Sequence, residues 1–172
     1  MNALEMTDRL LFLRYAVPCA GTLVQRGTME QQAWDELIAA VHAGNAPPDA
    51  EKLFKVAYAA CSLLALDGGK KAIDSPLIRY YFRAGHDAVI DARYAEMQDF
   101  DPEACRVWAG AVTRVAPGKA WVLLPHEERE CRTDFVPAAK PGDWVVVHWG
   151  FMVEPVTEKE AAQINGRGAK SV

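Results

Sequence analysis

The sequence has no paired cysteines, no long apolar run and no excess of basic charge, and each absence removes a class of function. Its four cysteines, Cys19, Cys61, Cys105 and Cys131, stand far apart. None forms a CxxC pair, and the spacing follows no zinc-site pattern. No apolar stretch reaches the roughly 18–20 residues of a membrane span. Leu10–Leu13, after Arg9, is too short for the apolar region of a signal peptide. The expectation is therefore a cytoplasmic chain with reduced thiols and no membrane partner. A net charge of −4 lacks the electrostatic footprint of a general nucleic-acid binder. There is no phosphate-cradling glycine loop, no carboxylate pair at catalytic spacing, and no serine or cysteine motif with a local base. An enzyme is not expected.

What is present divides into two grammars. Hydrophobic residues make up 51% of the chain, enough to bury a core. Residues 1–98 read as a small helical bundle. Leu4, Met6, Leu10, Leu11, Leu13 and Val17 give a first apolar face ending at Pro18. Thr28 is expected to cap a helix running to about Ala43, carrying Trp34, Leu37, Ile38 and Val41. Gly44 to Pro48 is a breaker. Asp49 is then expected to cap Ala50 to Leu66, and Asp67-Gly68-Gly69 ends it. Ser75 and Pro76 open a fourth helix to about Met97, which Gly85 loosens midway.

After an acidic connector at 99–104, the period changes. Five short runs rich in Val, Trp and Leu follow: Val107–Val115, Ala120–Leu124, Arg129–Phe135, Trp144–Trp149 and Met152–Val156. Turn signals at Pro117-Gly118, Pro125–Glu128, Lys140–Asp143 and Gly150 separate them. Closure removes exposed edges, so residues 105–165 read as a five-stranded, OB-like β-barrel. Thr157 and Glu160 form a capping box for a short final helix, and 166–172 read as a frayed tail. The fold class is α+β with two domains.

The barrel segment resembles the HypC/HupF family of hydrogenase-maturation chaperones. Cys105-Arg106-Val107-Trp108-Ala109-Gly110 keeps the family's Cys-to-Gly spacing, with Ala109 where proline is usual. Arg129 to Pro137 is similar to the family's basic strand and its corner. Pro141-Gly142-Asp143-Trp144-Val145-Val146-Val147-His148-Trp149-Gly150-Phe151 resembles its Gly-Asp-aromatic-Val-x-Val-His-x-Gly-Phe signature. The resemblance implies a chaperone that carries iron as a transient Fe(CN)2CO group. It implies two partners, a HypD-like maturation factor and the [NiFe]-hydrogenase large-subunit precursor. It places metal ligation on Cys105 and His148. Partner binding is placed on Cys105, Gly142, Asp143, His148, Gly150 and Phe151.

The chemistry suits those residue types. A thiolate is a natural ligand for low-spin iron, and it needs cationic help to lose its proton. Arg106, Arg129 and Arg132 are the nearby candidates in sequence. Period-two alternation puts Trp144, Val146 and His148 on one strand face and Val145, Val147 and Trp149 on the other. His148 could ligate metal, take the proton of Cys105, or orient a partner. Cys19, Cys61 and Cys131 read as packed residues. His86 and His126 read as exposed, and Arg79, Arg83 and Arg93 as a solvated face. Family members begin at the motif cysteine, whereas about a hundred residues precede Cys105. Two other functions stay open: a scaffold that binds HypD or the precursor without iron, and an OB-fold nucleic-acid binder.

Overall fold

The computed structural model describes residues 4–94 and 97–166, and it resolves two compact units divided after Asp87.

In the first unit Asp8 is the earliest organiser. Its carboxylate accepts from the Leu11 amide at 3.0 Å and from the Ser75 hydroxyl at 2.8 Å. The first contact caps α1 (Arg9–Ala16). The second ties it to Ser75, 67 positions on. Leu4 and Met6 do not extend that helix. Glu5–Met6 forms β1, paired in parallel with β2 (Ala72–Ile73). The chain does not stop at Pro18 either. A 3₁₀ turn, Val17–Cys19, leads into α2 (Ala20–Gln25). Thr28 closes α2 by donating to the Leu23 carbonyl, and Glu30 precedes α3 (Gln31–His42).

Arg9 ties down the Pro-rich breaker. It pairs with the buried Glu51 at 2.7 Å and donates to the carbonyls of Ala46 and Pro47. Asp49 takes a left-handed backbone before a 3₁₀ turn, Ala50–Leu53, so α4 begins only at Lys55 and runs to Asp67. Asp74, not Ser75, caps α5 (Ser75–Tyr80) by accepting from the Leu77 amide. A π turn, Tyr81–Gly85, then precedes α6 (His86–Arg93). The fourth predicted helix is thus two helices joined by a wider turn, with the loosening at Gly85 where the sequence places it. Phe82 stacks on Tyr15 with centroids 5.1 Å apart and meets Phe12 edge-on at 5.7 Å. Phe12, Leu13, Tyr15, Ile73, Ile78 and Phe82 form the buried centre. Arg83 donates to the Tyr15 hydroxyl at 2.9 Å, so it is no solvated residue. His86 is buried, contrary to the expectation of exposure.

The second unit contains the barrel. A single helical turn, α7 (Pro102–Cys105), precedes β3 (Trp108–Ala116), β4 (Lys119–Leu123), β5 (Glu128–Arg132), β6 (Trp144–His148) and β7 (Phe151–Val156). They close in the order β3-β4-β5-β7-β6. Only the β5–β7 contact, at Arg132 and Phe151, is parallel. Val112, Val122, Leu124, Cys131, Val145, Val147 and Met152 fill the interior. Gly110 is required by closure: a Cβ there would lie 2.3 Å from the Leu123 carbonyl oxygen. The Thr157–Glu160 capping box opens α8 (Glu158–Gly166). Asn165, the last residue of the expected barrel region, is tied to β3. Its side chain accepts from the Ala109 amide at 3.0 Å and donates to the Ala109 carbonyl at 2.9 Å. The tail expected to fray lies, from residue 167, outside the described residues.

Candidate functional site

Cys105 ends α7. Asp101 caps that turn, its Oδ1 accepting from the amides of Glu103 and Ala104 at 2.9 and 3.2 Å. Pro102 suits the first helical position because it needs no hydrogen-bond acceptor there. The amide of Cys105 then donates to the Asp101 carbonyl. The cysteine is therefore buried and fixed in a capped turn. Trp108 adds a clasp, donating its indole N–H to the Glu103 carbonyl at 3.3 Å.

His148 ends β6 and is fully buried. Val145 and Val147 point into the barrel, so the pleat turns His148 to the outer face, as the alternation predicts. The β6–β7 connection is only Trp149 and Gly150, since His148 pairs with Phe151. Trp149 accommodates it with a left-handed backbone, φ 51°. That conformation costs a residue with a Cβ about 1 kcal/mol or more. Trp149 is held by three contacts. Its amide donates to the Ala104 carbonyl at 2.9 Å, its carbonyl accepts from Arg129 at 3.1 Å, and its ring meets Phe100 edge-on at 5.8 Å.

The result is that the Cys105 sulfur and a ring nitrogen of His148 lie within 4.8 Å of each other. Forty-three positions apart in sequence, they meet because α7 is pinned to the β6–β7 turn. A thiol and an imidazole at this range can share a soft metal or pass a proton between them.

The arginines expected to activate the thiol also pair with carboxylates. Arg106 binds Asp91 at 2.6 Å and Glu103 at 3.0 Å. Arg129 pairs with Glu127, and Arg132 with Asp134 at 2.9 Å. Burial pushes the thiol of Cys131, inside the barrel, from its ordinary value of 9.0 up to about 12. Cys61, in α4, is pushed up to about 12 by the same cause. Both thiols stay protonated at neutral pH.

The signature residues around the pair shape the backbone. Gly142 has φ 94°. It and Asp143 dock the loop before β6 onto β3: the Gly142 amide donates to the Val112 carbonyl, and the Val112 amide donates to that of Asp143. The Asp143 carboxylate accepts from the Lys140 amide at 3.0 Å. Phe151 is buried and stacks on Phe135 at 5.5 Å, with the Arg132 guanidinium 4.9 Å from its ring centre. Asp101 and Asn165 are supporting residues that sequence reasoning missed. An Asp-Pro pair before a cysteine is the signal that reveals the first. Nothing local reveals the second.

Residues 105–166 match the HupF/HypC family. The chain thus carries a HupF/HypC region as its C-terminal part, and the match includes Cys105, His148 and Asn165. The helical unit lies outside it. The family is one of hydrogenase-maturation chaperones, so the match points to a maturation role. No curated protein matches the chain. Among the described residues no helix is long and apolar enough to cross a membrane.

Proposed function

We propose that this protein is a chaperone and iron carrier in [NiFe]-hydrogenase maturation. Its cargo is the Fe(CN)2CO group, held by the Cys105 thiolate with His148 as second ligand or proton acceptor. The reading rests on one observation above all: the two motif residues lie within 4.8 Å of each other on an otherwise valine-rich barrel. Low-spin iron bearing cyanide and CO favours a soft sulfur donor. The thiol proton leaves as the Fe–S bond forms, and the imidazole, within 4.8 Å, is a base that can receive it. The partners are a HypD-like factor that supplies the group and the large-subunit precursor that receives it. The test is anaerobic affinity capture of the full chain co-expressed with both partners, with iron counted by mass spectrometry. Iron and both partners co-elute with the wild type, and Cys105→Ala loses the iron. Iron-free complexes with both partners would instead mark the protein as a scaffold.

The scaffold reading has an observation of its own in favour. Cys105 is buried in a capped turn and carries a peptide amide where family members have a free chain start. Cargo exchange therefore requires α7 to open.

A further inference from the structure

We propose that Cys19 and His86 of the helical unit chelate a thiophilic divalent cation of the zinc class. The two residues lie outside the family region and 67 positions apart, yet the Cys19 sulfur and a ring nitrogen of His86 are within 4.8 Å.

Each side of the pair is set by an irregular piece of helix. Cys19 closes the 3₁₀ turn between α1 and α2. Val17 and Pro18 of that turn are buried, and the Thr22 hydroxyl donates to the Cys19 carbonyl at 2.7 Å. His86 follows the π turn Tyr81–Gly85 directly. A π turn inserts one residue into an α-helix and rotates everything after it. Such turns are rare and gather at functional sites. The rotation seats the imidazole among aromatic rings, 5.7 Å from Tyr81 and 5.7 Å from Phe82 between centroids.

Cys19 also differs from the other thiols. Cys61, Cys105 and Cys131 are buried, and Cys19 is part-exposed. Metal can reach it from solvent. A zinc-class ion takes sulfur at about 2.3 Å and imidazole nitrogen at about 2.1 Å, so side-chain rotation closes the observed gap. Thiolate plus imidazole selects zinc, cobalt or copper over magnesium or calcium. Binding forms one M–S and one M–N bond and releases the thiol proton to water.

The test uses the full chain, reduced and folded, with zinc as the only added metal. Cys19 is alkylated by iodoacetamide, and the rate at that residue is read by mass spectrometry. Zinc is expected to slow Cys19 alkylation at least about tenfold, as a bound thiolate is withdrawn from attack. EDTA should restore the rate, and His86→Gln should abolish most of the protection. Equal rates with and without zinc in the wild type overturn the site. So does protection that is undiminished in a folded His86→Gln chain. If His86→Gln fails to fold, Cys19→Ser decides the matter. This near-isosteric change at a part-exposed position should weaken zinc at least about tenfold in competition with a chromophoric chelator; unchanged affinity overturns the proposal. None of these readouts depends on hydrogenase maturation, so failure here leaves the function proposed above standing.

Discussion

The amide of Trp149 donates to the carbonyl of Ala104 at 2.9 Å, and this bond puts the residue after His148 against the residue before Cys105. The motif's cysteine and histidine are neighbours because the turn that follows one is hydrogen-bonded to the turn that ends in the other. Asp101 holds the far side of that arrangement. Asp101→Ala removes the acceptor of two amides and costs about 1 kcal/mol of local stability. That corresponds to about a fivefold rise in the open population of α7. Alkylation of Cys105, followed by mass spectrometry on the folded protein, should rise by that factor. An unchanged rate means that the Ala104–Trp149 bond alone keeps Cys105 covered.

Gly110 tests barrel closure. Its missing Cβ would meet the Leu123 carbonyl oxygen at 2.3 Å and the carbonyl carbon at 2.8 Å, both backbone atoms that cannot rotate away. Gly110→Ala therefore forces β3 from β4. It should cost about 2–3 kcal/mol in urea unfolding. A loss under 0.5 kcal/mol, about the noise of surface substitutions, contradicts the assigned register.

Asn165 tests why alanine stands where the family has proline. The side-chain amide engages both backbone groups of Ala109, and proline at 109 has no N–H to give. Asn165→Ala should destabilise the barrel by about 1–3 kcal/mol, because two buried backbone groups lose their partner. Ala109→Pro removes only the N–H···Oδ1 bond and should cost less. A double variant no worse than Asn165→Ala would show that the two positions act as one unit.

The buried thiols set an alkaline limit. Cys61 and Cys131 keep their protons to about 12 in the folded chain, against 9.0 for a free thiol. Above 9.0 the unfolded chain loses those protons and the folded chain does not, so unfolding gains free energy as pH rises. Stability is fully present below 9.0 and falls by about 1.4 kcal/mol per pH unit for each thiol up to about 12. The slope of the urea midpoint between pH 9 and 11 should be shallower in Cys131→Ala. An identical slope means the thiol is not the group responsible.

The barrel was legible because its signals are local. Runs of Val and Trp bounded by Pro-Gly and Gly-Asp turns mark five strands, and the Thr157–Glu160 box marks α8. The Cys105–His148 pairing was legible only through motif spacing, because the bond that creates it joins two backbones and leaves no side-chain trace. The helical unit was harder for a physical reason. Leu4 and Met6 fit a helical face, but Asp8 caps α1 after them and leaves β1 extended. A π turn changes no residue type, so nothing in Tyr81–Gly85 announces that His86 will turn inward. Arg106 is adjacent to Cys105 in sequence, yet Asp91 and Glu103 take its guanidinium.

The most direct measurement is infrared spectroscopy of the full chain. It would be co-expressed with HypD and the cyanide-forming factors and purified without oxygen. The CO and cyanide stretching bands of an Fe(CN)2CO group should appear with the wild type. They should vanish in Cys105→Ala and weaken or shift in His148→Ala. A wild-type protein without those bands, or bands that survive Cys105→Ala, contradicts iron carriage by this pair.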